Sequence, residues 1–252
     1  MVRTVVVADD ASPCTFDHAL ARTFRQPGVL GTRFTHNAGI ARSLNAGLSE
    51  AISRGSQWLL TLDQDSRCST TYVQDLLSDL QRAEDVGLNV GVIAPQSIDD
   101  KRGTIRYPIN REHGWPVTEE VLQSGALWSV PLLQEVGGFD EVLGMDAVDA
   151  AACLSIRERG HDVVLSPRAH LQHEWGNAQY VSLFGRTIAA TGHSSQRRAN
   201  IVRNRLRLFP RELRQSPTHA LRTLRRVAVS NLLTVTKHRA PHDEEPSGGS
   251  TN

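Results

Sequence analysis

Lysine is nearly missing from this chain: Lys101 and Lys237 are the whole complement among 28 Lys and Arg residues, so its positive charge is almost all arginine. That bias reads as genome composition and carries no functional weight. Cysteine is scarce as well. Cys14, Cys68 and Cys153 form an odd set without C-x-x-C spacing, which excludes a disulfide framework or a cysteine zinc site and fits a reducing compartment. Residues 1–20 show no charged segment leading into an apolar one, and no apolar run reaches the ~18 residues of a membrane span. A cytoplasmic protein is expected, or one peripheral at the inner face of the membrane. Net charge is also lacking: +1 overall, with a pI near 7.9, gives no general attraction to nucleic acid, so no such partner is expected.

What is present is α/β alternation over a chain of 252 residues, enough for one domain with a terminal appendage. Residues 4–8 read as an apolar strand that ends in Asp9-Asp10-Ala11-Ser12-Pro13, and residues 32–35 as a second strand. Ile40, Leu44, Leu48 and Ile52 recur at helical spacing before Gly55. Further helices are predicted over 72–83, 131–136 and 148–159, and further strands over 90–95, 103–107, 125–130 and 162–166. Beyond His173 the pattern becomes long, basic and helical. Arginines crowd 186–226 against a single Glu212, which suits phosphate, an anionic surface or a solvated helix face. The organisation expected is a catalytic-type domain over 1–209, a basic helical appendage over 210–239 and a disordered tail over 240–252.

The most informative segment is Trp58-Leu59-Leu60-Thr61-Leu62-Asp63-Gln64-Asp65-Ser66. A buried strand delivers two aspartates to its end, where open α/β sheets bind ligands. Separated by one residue, the two carboxylates point the same way and repel unless a cation lies between them. Mg²⁺ or Mn²⁺ fits that role, with substrate phosphate and water completing its shell. The competing reading is an Asx-rich turn before the next helix.

The ordered series Asp9-Asp10-Ala11-Ser12, Asn37-x-Gly39, Asn45-x-Gly47, Asp63-Gln64-Asp65, Gly137-Gly138-Phe139-Asp140-Glu141, Asp146-Ala147-Val148-Asp149, His173 and Arg203-Asn204 resembles the inverting family 2 glycosyltransferases of the GT-A fold. Within them it resembles the rhamnosyltransferase-like branch. The resemblance implies a mostly parallel mixed sheet flanked by helices with a C-terminal helical extension. It implies an enzyme that moves a sugar, L-rhamnose from dTDP-rhamnose, to a lipid-linked or polysaccharide acceptor with a divalent cation.

The same resemblance implies site roles. Asp9, Asn37, Asn45, Asp63 and Arg203 would hold the nucleotide sugar. Asp65, with Asp63 and His173, would hold the metal. Asp146, with Asp149 as second choice, would be the base that deprotonates the acceptor. Gly125 and Ala126 would floor the acceptor site, with Trp175, Trp115 or Trp128 stacking on the acceptor. Each has a plainer reading: helix caps for Asn37, Asp146 and Asp149, an Asx turn for Asp9, core packing for the tryptophans and a solvated helix face for Arg203. Many relatives carry an acid where Ala147 stands, and they begin with a further central strand and helix. Two strands would then lack their shared neighbour, so the chain alone is expected to be unstable or weakly active. A noncatalytic binding remnant and a nucleotidyltransferase are the competing functions.

Overall fold

The computed structural model describes residues 2–100, 103–173, 178–183, 186–191 and 194–237. The first part runs β1 (Val5–Asp9), α1 (Asp17–Phe24), β2 (Val29–Arg33), α2 (Ile40–Ser53), β3 (Trp58–Leu60), β4 (Ser66–Cys68) and α3 (Tyr72–Asp85). The middle holds β5 (Val90–Asp100), β6 (Gly103–Arg106), β7 (Asn110–Glu112), β8 (Trp115–Val117), β9 (Leu127–Ser129), α4 (Val130–Glu135) and α5 (Val148–Glu158). Then come β10 (Asp162–His173), β11 (Ala178–Leu183), β12 (Arg186–Thr191), α6 (Ser195–Gln215) and α7 (Pro217–Lys237).

The larger sheet has the order β3-β9-β5-β10-β8-β7, with β4 added to β10 and β6 to β5. It is mixed, as expected, but less parallel than the sequence suggested. β5 pairs with β10 in parallel, whereas β9 runs antiparallel to both β3 and β5, and β5–β6 and β7–β8 are hairpins too tightly connected for a parallel crossover. Alternation along the strands sorts side chains into two cores. Val92 and Ala94 of β5 and Val163 and Leu165 of β10 face α2, α4 and α5, where Trp128, Phe139, Leu133 and Leu154 pack. Ile93, Val164 and Leu171 face Tyr72, Leu76 and Leu80 of α3.

β10 continues seven residues past its predicted end, and this matters for the site. The expected strand covered 162–166; Pro167, the next residue, falls within a register shift between Ser166 and His170, where the ladder tolerates a missing N–H. Buried Asp79 of α3 secures the irregularity, accepting from Ser166 Oγ at 2.6 Å and pairing with Arg168 Nη2 at 2.6 Å. The strand therefore reaches His173.

The predicted boundary at residue 209 falls inside α6. Leu208, Glu212, His219, Ala220 and Thr223 are buried, so both C-terminal helices pack onto the domain. Outward, α7 shows Leu221 and Val229 beside Arg222 and Arg225. Among the described residues no helix is long and apolar enough to cross a membrane. Residues 240–252 lie outside the described set.

β1 and β2 form a parallel pair of their own, separate from the larger sheet, although α2 packs against both β1 and β3. A cleft of 2470 Å³ is lined by residues 2–10 on one side and residues 58–65 on the other. Val5 N–H bonds toward β2 and Thr61 N–H toward β9, so by alternation the amides of Val6, Ala8, Trp58 and Leu60 point into the cleft. Hydrogen exchange should report this. These four amides are expected to exchange much faster than Val5, Val7, Leu59 and Thr61, and equal protection in the two sets would show that the facing edges are covered.

Candidate active site

The end of β3 is held by buried polar bonds. Thr61 is buried, donates its amide to the Ala126 carbonyl at 3.0 Å and its hydroxyl to the Gln123 carbonyl, and accepts Trp128 Nε1–H at 2.9 Å. Asp63 N–H donates to Ser124 Oγ at 2.9 Å, and the Gln123 side-chain amide donates to the Asp63 carboxylate. β4 then pairs antiparallel with the end of β10, setting Ser66 opposite His173. Ser66 Oγ lies 2.8 Å from His173 Nδ1 and 2.6 Å from Ser124 Oγ.

These bonds gather three donor groups at the cleft. His173 Nδ1 is 3.3 Å from Asp65 Oδ1, its Nε2 is 3.9 Å from Asp63 Oδ2, and one ligand atom from each of the three lies within 4.8 Å of the others. Burial raises the Asp63 carboxyl pKa, Gln123 and His173 oppose that rise, and the like charge of Asp65 adds to it. Two carboxylate oxygens and an imidazole nitrogen, partly open to solvent, fit Mn²⁺ or Mg²⁺ with positions left for water and phosphate.

The turn before α5 lines the same cleft. Buried Asn204 of α6 donates to the carbonyls of Leu143 at 2.9 Å and Asp146 at 2.8 Å, and Ala147 takes a left-handed φ of 66°. Gly39 (φ 88°) lets α2 come against this turn, because a Cβ there would meet the Gly144 carbonyl oxygen at 2.7 Å. Asp146 is engaged by Arg197 Nε at 3.3 Å. Asp149 accepts only a local bond among those resolved, from Ala150 N–H at 2.8 Å. Its pKa is pushed up to about 6 by burial and by Glu120, with Arg205 opposing. Asp63, Asp65, His173, Asp146 and Asp149 all line one cleft.

Two carboxylate pairs thus line one cleft, and in sequence comparison the model Glycosyl transferase family 2 matches residues 2–126. That match covers just under half of the chain, whose first part resembles glycosyl transferase family 2. The dTDP-rhamnosyl transferase RfbF of Shigella flexneri is 28% identical over 239 residues, covering 90% of this chain and 76% of that protein. GalNAc-T7 with UDP, GalNAc and Mn²⁺ superposes with a TM-score of 0.57 at 15% identity, covering 80% of this chain and 41% of that one. S. aureus TarS 1-349 gives 0.57 at 14% identity, with 93% of this chain and 64% of that one covered. The mannosyltransferase PcManGT from Pyrobaculum calidifontis, in complex with GDP-Man and Mn²⁺, gives 0.56 at 17%, covering 95% and 67%. The chain thus spans under two thirds of GalNAc-T7 and of the TarS fragment. These structures establish the GT-A fold.

Of the other residues singled out in the sequence, Asp9 lines the cleft, whereas Asn37, Asn45 and Arg203 do not. Asn45 faces away from the cleft, its amide bonding the Phe139 carbonyl at 2.9 Å and Glu141 Oε1 at 2.8 Å, so it fixes the Gly138–Phe139 turn instead of a nucleotide. Asn37 is exposed and does not cap α2; the carboxylate of Asp10 receives the N–H groups of Ala38 at 2.7 Å and Gly39 at 2.9 Å instead. Asp9 lines the cleft but is paired with Arg33 at 3.0 Å and receives Ser12 N–H.

Gly125 and Ala126 are buried beneath the cleft floor. Gly125 (φ 86°) sits under Tyr72, whose hydroxyl donates to its carbonyl at 2.7 Å, and Ala126 is fully enclosed. Ser124 and Gln123, just before them, reach the surface of the site. Trp128 is core, edge-on to Phe139 at 5.4 Å, Trp115 donates to the Leu165 carbonyl at 3.1 Å, and Trp175 lies outside the described residues. Arg203 is turned away from the cleft, whereas Arg197, Ile201 and Arg205 line it. The i, i+4, i+8 spacing of those three was the available signal.

Proposed function

We propose that this protein is a metal-dependent inverting glycosyltransferase that moves L-rhamnose from dTDP-rhamnose to a lipid-linked or polysaccharide acceptor in cell-surface glycan synthesis. The observation that carries the reading is the meeting of Asp63, Asp65 and His173 with Asp149 and Asp146 across one cleft. The likeness to a protein named as a dTDP-rhamnosyl transferase supports the donor.

Asp63, Asp65 and His173 hold the cation, and Ser66, Ser124 and Gln123 fix their orientation. A divalent cation held there would supply the positive charge that a departing diphosphate needs. Asp149 takes the proton of the attacking hydroxyl. Its raised pKa suits a base working near neutrality, and its carboxylate is less committed than that of Asp146, which Arg197 engages. Asp149 thus replaces Asp146 as first choice. The outward Leu221, Val229, Arg222 and Arg225 of α7 suit peripheral contact with an anionic membrane that carries the acceptor.

The test is turnover of a donor panel in Mn²⁺. Release of dTDP from dTDP-rhamnose, above that from UDP- and GDP-sugars, is the expected result. Pyrophosphate as the product would make the protein a nucleotidyltransferase, and donor binding without turnover would make it a noncatalytic binder.

A further inference from the structure

A cluster of buried charge lies just behind Asp149, and the reaction as described leaves it without a role. Arg205 of α6 grips Glu120, in the loop after β8, with both guanidinium nitrogens (Nη1–Oε2 2.6 Å, Nη2–Oε1 3.3 Å), and reaches Glu212 Oε1 at 3.5 Å. α7 closes the cluster: Arg226 Nη2 donates to Glu120 Oε1 at 3.1 Å, and His219 Nε2 stands 3.8 Å from Glu120 Oε2. Arg205 thus lines the cleft with Asp149 while its guanidinium is engaged by Glu120 and Glu212.

Resting on the reading of Asp149 as the base, we propose that Arg205 and Glu120 are positioning residues that set the charge state of Asp149, Glu120 holding back the counter-ion that would otherwise stabilise the aspartate as an anion. The directions of the local shifts agree. Burial raises the Glu120 pKa, but Arg205, with His219 and Arg226, holds it down to about 2, so it is an anion throughout the working range. That anion and burial push Asp149 up while Arg205 opposes them. The other titratable groups interacting with Asp149, Tyr107 from the loop after β6 and Cys153 on its own helix, are both raised chiefly by burial and stay neutral. His219 is held down by burial, against Glu120 and Glu119. Glu212 is raised by burial, against Arg205. The strong fixed charges at Asp149 are therefore one anion and one cation.

The consequence is a pair of opposite shifts that loss of packing does not produce. Glu120→Gln frees Arg205 for Asp149 and should move the acid limb of the kcat/KM profile down by about one pH unit. Arg205→Gln removes the cation and should move it up by a similar amount, and Arg205→Lys should restore much of the original midpoint. Thermal melts identify any variant that fails to fold. Asp149 itself is titrated by carboxyl ¹³C NMR in the same full-length variants. Opposite shifts in both readouts support the proposal. Opposite NMR shifts with an unmoved rate profile support the coupling and overturn Asp149 as the base. An NMR midpoint that is unchanged, or that moves the same way in folded Glu120→Gln and Arg205→Gln proteins, overturns the proposal.

Discussion

Asp65→Ala is expected to lower Mn²⁺-dependent donor turnover by about 100-fold or more while leaving the melting temperature of the metal-free protein unchanged or slightly raised. The first half follows from the geometry. Asp65 supplies the carboxylate nearest His173, at 3.3 Å, and no other acid among the described residues joins Asp63 and His173 in that cluster. Several kcal/mol of charge stabilisation rest on such a cation, and about 1.4 kcal/mol is tenfold in rate. The second half follows from exposure. The Asp65 side chain is 42% exposed, and its like charge raises the Asp63 pKa, so its removal relieves repulsion without opening a cavity. Electron paramagnetic resonance of free Mn²⁺ separates binding from chemistry. Weakened Mn²⁺ binding together with lost turnover is the expected pair, whereas full Mn²⁺ affinity in Asp65→Ala would place the ion elsewhere.

Asp63 and Asp65 were legible in the sequence because one local fact, a buried strand that ends in two alternating acids, both forms the element and aims the side chains. His173 was legible only through its place in the order of motifs. The physical cause of its position, a strand continued past Pro167 and pinned by Asp79, is a long-range arrangement that strand propensity does not encode. Asn45 and Arg203 show the converse. Residue type and spacing suited ligand contact, yet one amide closes a turn 94 positions away in the chain and the guanidinium follows the wrong face of α6. Gly125 and Ala126 are buried, and the cleft is lined by Gln123 and Ser124 just before them. The expected division at residue 209 falls within α6, where Arg205 is drawn inward by Glu120 and Glu212. Composition cannot show that pairing.

Asp149→Asn should separate catalysis from stability more sharply than any other single change. Loss of a general base at an otherwise intact site costs about 10²–10⁴-fold in turnover, and wild-type kcat/KM should rise with pH through about 6 as the carboxylate ionises. Stability should move the other way. The folded-state pKa of Asp149 lies above the ordinary value of 3.8, so between about pH 4 and 6 the folded protein holds a proton that the unfolded chain has released. The stabilisation is complete below the unfolded pKa and disappears as pH rises through the folded one. At pH 7 to 8 the buried charge then costs on the order of 3 kcal/mol, at about 1.4 kcal/mol per pKa unit. Asparagine cannot ionise and keeps the shape, so Asp149→Asn should melt at or above the wild-type temperature at pH 8, with the difference shrinking toward pH 4. Asp146, by contrast, is engaged by Arg197 at 3.3 Å. Should Asp146→Asn abolish turnover while Asp149→Asn retains it, the base is Asp146, and the strain stored at Asp149 serves the architecture of α5 instead of the reaction.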